Sequence, residues 1–212
     1  MRLLLLIIII FFQLSYSSSA ISKEFIGFTP EQFKTHYRAQ IESKWCWAAT
    51  AEMIFSSQGV EYGQARIVRD IKGETLDSTA SIIEMFNTTN GIIKDRNGNK
   101  FVVSGQLLKG LPAPTVLYNY IKQKKPVIII YGHPYANRHS VVLTGMEIEF
   151  SIKIEKEELK VQSLHIYDPY IERKAKIYSP PLNYASRLQS DFEIFPGKVI
   201  STILVDITAK NS

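Results

Sequence analysis

Ser43-Lys44-Trp45-Cys46-Trp47-Ala48-Ala49-Thr50-Ala51-Glu52-Met53-Ile54 is the stretch from which the rest of the chain can be read. Trp45, Ala48, Ala49, Met53 and Ile54 fall near the spacing of one apolar helical face. This predicts a helix from Cys46 to about Ser57, ended by Gly59. The one cysteine of the chain then stands in the first turn, where a loop becomes a helix. Partial positive charge at a helix N-terminus draws a thiol toward the thiolate, the species that attacks. Three readings of Cys46 stay open on these residues alone: a buried small hydrophobe, a nucleophile, and a partner in an intermolecular disulfide. The flanking tryptophans argue for partial burial and against the third.

Upstream, residues 21–44 lack clear periodicity and read as an extended arm entering the domain. Downstream, Gln64 to Ile71 and Thr79 to Phe86 suggest two short helices. Ile92-Ile93 and Phe101-Val102-Val103 flank Asn97-Gly98, a hairpin signal. Thr115 to Lys124 reads as a helix with Pro114 near its start, and Val127 to Tyr131 as a buried strand. Met146 to Ile154 alternates strictly, as a long half-buried strand does. Glu155 to Glu158 is a charged turn, and Leu159 to Tyr167 returns with its phase flipped near Gln162-Ser163, which suggests a bulge. Val199 to Ile207 is a last strand. Helices in the first half and strands in the second predict an α+β domain, a helical lobe packed on a sheet.

The sequence of 212 residues is 45% apolar and 21% charged, ordinary globular values that exclude a disordered chain, a collagen and a coiled coil. A chain of this length buries roughly 70% of the surface its unfolded form exposes, so one domain folds without staples. One cysteine excludes an internal disulfide framework and a four-cysteine zinc site. The net charge of +5 comes with no long basic stripe, so nucleic-acid binding is not indicated. Met1-Arg2 followed by the apolar run Leu3 to Phe12 and by Ser18-Ser19-Ala20 matches a signal peptide cleaved after Ala20. Ten residues of helix rise only about 15 Å, half the hydrocarbon core, so the run is too short to anchor the chain. The expected organisation is a signal peptide over 1–20 and one domain over 21–212, secreted or periplasmic, without stable membrane insertion, and monomeric. Asn87-Thr88-Thr89 is a glycosylation sequon whose use depends on the host.

A cysteine nucleophile needs a base, an orienter for the base, and donors for the oxyanion. His139 leads the apolar strand Ser140-Val141-Val142-Leu143, a rigid mount. His133 sits in a Gly-His-Pro turn, His36 in the arm, and His165 within a strand as a satisfied wall residue. No carboxylate or cysteine stands at ligand spacing beside His133 and His139, which argues against a metal centre. Asp168, in Tyr167-Asp168-Pro169-Tyr170, either caps a turn before proline or orients His139. With the hairpin turn centred between Lys156 and Glu157, Asp168 faces Gly145 rather than His139, and a bulge or an asymmetric loop has to make up the difference. Asn137 and Asn183 are fallback orienters. A side-chain amide at Gln40, six residues before Cys46, could donate to an oxyanion, with the Cys46 N–H as second donor, but a lone glutamine read without context carries no role.

Taken in order, Gln40, Trp45-Cys46-Trp47-Ala48-Ala49, Arg138-His139-Ser140-Val141-Val142-Leu143-Thr144-Gly145 and Tyr167-Asp168-Pro169 resemble papain-like cysteine proteases. They look most like the short bacterial branch of secreted effector proteases and relatives of the double-glycine leader peptidases. The resemblance implies a helical lobe against an antiparallel sheet lobe, with the site in the cleft. It implies Cys46 as nucleophile, His139 as base and later acid, Asp168 as orienter and Gln40 as oxyanion donor. It implies a peptide or protein substrate, and neither metal nor organic cofactor. Ser43-Lys44-Trp45 stands where plant and lysosomal papains have a Cys-Gly pair, and aspartate stands where their orienter is usually asparagine. Two other readings of the same residues are a different acyl transfer (deamidation, transglutamination or amide cleavage in cell walls) and a catalytically silent binding module. Residues 21–40 would act as an inhibitory segment only if Phe25 to Phe33 lay in the cleft.

Overall fold

The computed structural model describes residues 21–132, 138–153, 156–170, 175–178 and 198–210. Residues 1–20, expected to be a signal peptide, and His133, Asn137 and Asn183 lie outside them. Among the described residues eight strands form one antiparallel sheet: β1 Ile21–Gly27, β2 Asn90–Lys94, β3 Lys100–Lys109, β4 Val127–Gly132, β5 His139–Lys153, β6 Lys156–Tyr167, β7 Ala175–Tyr178 and β8 Lys198–Ala209. Their order is β2-β3-β8-β4-β5-β6-β7, and β1 pairs with β5 off this path. The last strand in sequence therefore occupies the middle of the sheet, between β3 and β4. The helices are α1 Pro30–Phe33, α2 Cys46–Ser57, α3 Gln64–Lys72, α4 Ile82–Asn87 and α5 Pro114–Lys122.

Alternation along β4 explains how both faces of the sheet are covered. Ile128 and Ile130 point into one core with α1 to α4, where Phe33, Trp47, Met53, Ile54, Phe55 and Val68 are fully or nearly fully buried. Val127, Ile129 and Tyr131 point the other way, onto Leu117 and Ile121 of α5. A strand buried on both faces carries an unbroken apolar run, as Val127 to Tyr131 does. The helical lobe is thus packed on one face, and α5 closes the other. Burial of the largest side chains contributes about 1.5–3 kcal/mol each.

Residues 21–33 differ from the expected arm. Ile21–Gly27 pairs with the second half of β5 from Ser151 to Gly145, and Thr29 caps α1 with a capping box to Gln32. Phe25 belongs to this strand and stacks edge-on against His165 at 5.0 Å, so the segment is a structural strand of the sheet. It shares an edge of β5 with β4, which takes the first half from His139 to Leu143.

The junction at Gly27 is tight. Gly27 has φ +98°, and a Cβ there would lie 2.3 Å from the Thr144 carbonyl oxygen and 2.8 Å from Gly145 Cα. We expect Gly27→Ala to lower stability by at least about 2 kcal/mol through backbone strain and overlap. That corresponds to a Tm lower by roughly 4–8 °C in thermal melting. An unchanged Tm would contradict the β1–β5 packing.

Candidate active site

Cys46 opens α2 behind Trp45, an N-cap residue that contributes no side-chain cap. A loop from elsewhere in the chain holds this turn. The Trp45 indole N–H donates to Leu76 O at 2.8 Å and the Trp47 indole N–H to Ser78 O at 3.1 Å. Between them Asp77 accepts from the Ser43 hydroxyl at 2.7 Å and from the Lys44 N–H at 2.9 Å. The loop 76–78 therefore clasps the five residues ending in Trp47. The Ser43 hydrogen bond, with that of Lys44, holds the exposed Asp77 carboxyl below its ordinary value.

His139 opens β5 with its ring between two tyrosines, edge-on to Tyr131 at 5.6 Å and to Tyr170 at 6.5 Å. His139 Nε2 lies 2.7 Å from Asp168 Oδ1. Asp168 is 2% exposed and also accepts the Tyr170 N–H at 2.9 Å. The same imidazole is near enough to the Cys46 side chain for each group to shift the other's protonation. With Nε2 directed at Asp168, Nδ1 is the nitrogen left for sulfur. Burial by itself pushes the Cys46 thiol up, but the His139 imidazole, with Ser140, outweighs it and brings the thiol below its ordinary value. Burial likewise pushes His139 down, and Asp168 and Cys46 reverse this, raising it to about 9. A thiol drawn down and an imidazole drawn up by each other are the shifts of a thiolate–imidazolium pair.

The meeting of His139 and Asp168 depends on register. Lys153 faces Lys156, so the pairing of the two strands is centred two positions earlier than expected; residues 154–155 lie outside the described ones. Two irregularities follow, one at Glu147/Ile148 and one at Leu143/Gly145. At the first, Glu147 faces Ser163 and Ile148 faces Val161, so Gln162 is the extra residue, where the phase flip suggested a bulge. The pairing ends with Val142 opposite Tyr167. Extended by one step, this register sets Asp168 opposite Val141, which shares a strand face with His139. The expectation that Asp168 faces Gly145 is thereby corrected.

Gln40 is brought to the same place by its backbone, whose N–H donates to Pro169 O at 3.0 Å. Its side-chain amide donates to Glu42 O at 3.0 Å and Ser43 O at 2.7 Å. Both amide hydrogens are thus engaged in the loop that precedes Cys46, while Gln40 Oε1 is buried without a partner. Gln64 anchors the neighbouring backbone, donating to Ala39 O and accepting the Ile41 N–H.

The other histidines stand apart. His36 bonds Ser56 Oγ at 3.1 Å among Phe28 and Phe33. His165 is a wall residue, but not a satisfied one: its buried Nε2 has no hydrogen-bond partner, with Glu147 Oε1 at 4.0 Å. A cavity of about 550 Å³ opens at the C-terminal half of α2, lined by Arg38, Glu52, Ser56, Tyr62, Arg66 and Arg96 among others. It excludes Cys46, His139 and Asp168, and its arginines are matched by Glu52, Glu61 and the Tyr62 ring. Among the described residues no group of three His, Cys, Asp or Glu side chains is gathered as for a metal ion.

Ser140, Thr50, Asp77 and Gln64 were not singled out by sequence reasoning. Each is a polar residue of ordinary type in an ordinary place, and only spatial contact distinguishes it. Ser140 alone carried a signal, as a hydroxyl directly after His139 in an otherwise apolar strand.

The family model described as Peptidase_C39 like family matches residues 32–193. A search among curated proteins returns no match. Among solved structures, the peptidase domain of Streptococcus ComA, a bi-functional ABC transporter involved in a quorum-sensing pathway, is 16% identical with TM-score 0.48. The match covers 79% of this chain and 95% of that one. The Streptococcus mutans ComA peptidase domain is 14% identical with TM-score 0.43, covering 81% and 98%. A structure from work on the mite allergens Blo t 1 and Der p 1 is 13% identical with TM-score 0.48, covering 91% and 73%.

Proposed function

The chain belongs to the Peptidase_C39 like family, a papain-like cysteine peptidase family of the double-glycine peptidase kind, and on that premise we propose that it is an exported peptidase using Cys46, His139, Asp168 and Gln40. The observation that carries this reading is the single imidazole of His139, 2.7 Å from the buried Asp168 carboxylate and electrostatically paired with the Cys46 side chain. Export is proposed on the Met1–Ala20 pattern; among the described residues no helix is long and apolar enough to cross a membrane.

His139 Nδ1 takes the thiol proton, and the thiolate attacks the scissile carbonyl. Asp168 holds the imidazolium and fixes Nδ1 toward sulfur. Charge then develops on the carbonyl oxygen, where the Cys46 N–H at the start of α2 and the Gln40 amide are the donors. His139 protonates the leaving amine, and water, deprotonated by His139, hydrolyses the thioester. The test is profiling against a peptide library with analysis of products. New peptide termini support the reading, whereas ammonia or a cross-link would assign the site to another acyl transfer.

Gln40→Ala is expected to lower kcat about 10²- to 10³-fold, the usual loss for one oxyanion donor. Because both Gln40 amide hydrogens rest on Glu42 O and Ser43 O, donation to the oxyanion requires one of them to be shared. The variant is therefore expected to leave the Cys46 alkylation midpoint in place while kcat falls. Steady-state kinetics beside the alkylation profile checks this, and an unchanged kcat would remove Gln40 from the mechanism.

A further inference from the structure

Ser140 follows His139 in β5, and alternation turns its side chain to the opposite strand face, the one packed on α2. There Ser140 and Thr50 are both fully buried. Thr50 lies one helical turn beyond Cys46. Ser140 Oγ and Thr50 Oγ1 are 3.2 Å apart, and Thr50 Oγ1 donates to Trp47 O at 3.0 Å. Cys46 and Thr50 are four residues apart on one face of α2, so the Ser140 hydroxyl that meets Thr50 stands on the Cys46 side of the helix, and Ser140 is among the groups that lower the Cys46 thiol. Cys46 itself is 9% exposed, so little water reaches the sulfur, and a buried anion has to be met by protein donors.

Each hydroxyl owns one proton, and counting protons leaves two arrangements. With Cys46 neutral, Thr50 gives its proton to Trp47 O and Ser140 gives its own to Thr50 Oγ1. Ser140 then presents only lone pairs to the thiol. With Cys46 ionised, the sulfur only accepts, and the Ser140 O–H turns to it. Thr50 then turns its O–H from Trp47 O to Ser140 Oγ, and the Trp47 carbonyl stays in the helix ladder.

We propose that Ser140 and Thr50 form a two-hydroxyl relay that follows the ionisation of Cys46, with Ser140 a further direct partner of the reacting sulfur and Thr50 a positioning residue behind it. The proposal rests on the reading of Cys46 as nucleophile. No proton leaves either hydroxyl; both rotate, and the thiol proton goes to His139. The relay stabilises the free thiolate and relaxes once sulfur is acylated and uncharged. The charged group acting on Cys46 is His139, backed by Asp168, and the relay approaches from the other face of β5.

The test is iodoacetamide alkylation of the purified protein against pH, in wild type, Ser140→Ala, Thr50→Val and Thr50→Ser, with near-UV circular dichroism to show folding. Ser140→Ala is expected to raise the alkylation midpoint by about one pH unit, the loss of one hydrogen bond to a charged group. Thr50→Val is expected to raise it by less, and Thr50→Ser to keep the wild-type midpoint. If Ser140→Ala does not fold, Thr50→Val decides, because Val keeps the shape of the side chain and loses only the hydroxyl. A purely structural role would lower stability and leave the midpoint where it was. A low wild-type midpoint that folded Ser140→Ala or folded Thr50→Val retains overturns the relay alone. An ordinary wild-type midpoint overturns the nucleophile reading and the relay with it.

Discussion

Cys46→Ala is expected to abolish peptide hydrolysis, with a loss on the order of 10⁶-fold when a covalent nucleophile is removed. The whole proposed reaction passes through the sulfur, and no second cysteine exists to replace it. Folding is expected to survive. Cys46 is a small side chain in the first turn of α2, and its partners keep other bonds: His139 with Asp168 and Ser140 with Thr50. Hydrolysis of a library-selected peptide, measured beside near-UV circular dichroism, checks both halves. Wild-type-like turnover by the folded variant would reject the covalent mechanism. Loss of turnover with retained peptide binding would give a ligand-trapping form of the protein.

His139→Ala is expected to lower kcat/KM by about 10⁴-fold, the upper range for a general acid–base group. It also returns Cys46 toward the ordinary thiol range, because burial remains and the main opposing contact is gone. In the wild type, His139 is held up to about 9. Protonation of His139 is therefore favoured below that pH, and the ion pair is lost as pH rises through it. The acid limb reports protonation of the thiolate, whose value is depressed. The expected kcat/KM profile is a bell with its alkaline limb near 9. Asp168→Asn separates charge from geometry, since it keeps an acceptor for His139 and removes the negative charge. That variant is expected to keep measurable turnover with the alkaline limb moved down. A wild-type profile flat through pH 9, or an alkylation midpoint unmoved by His139→Ala, would contradict the pairing.

Much of the site could be read from residue type and local placement. Cys46 in a first helical turn, His139 at the head of an apolar strand and Asp168 at the end of another each carried a local reason, whereas Gln40 was marked out only by the family resemblance. What linked His139 to Asp168 carried no local reason. A turn rich in Lys and Glu can be centred at several positions at similar cost, and the two strands alternate in either register. Packing of Met146, Ile148, Val161 and Leu164 into one core selects a register, and the irregularities at Gln162 and at Leu143/Gly145 cancel, so the register set at the start of the hairpin carries through to Val142 and Tyr167. The two-position difference decides whether Asp168 reaches His139. The 76–78 loop was similarly opaque. Its Leu-Asp-Ser reads as any turn, yet it fastens the residues before the nucleophile.

Periodicity over a few residues is a property of the chain itself, because the spacing of apolar groups matches a helix or a strand before anything else is folded. The α2 helix, the buried run of β4, the β2–β3 hairpin and the α+β class follow from it. Strand partners are chosen otherwise. β1 pairs with residues more than a hundred positions away, and β8 enters the middle of the sheet from the end of the described chain. Such pairings depend on loop closure and on which faces remain uncovered, and neither is encoded in any short window. The chemistry of Cys46 follows the same division. Its place at a helix start is local, whereas its contacts with His139 and Ser140 exist because β5 lies against α2 and excludes water from the sulfur they surround.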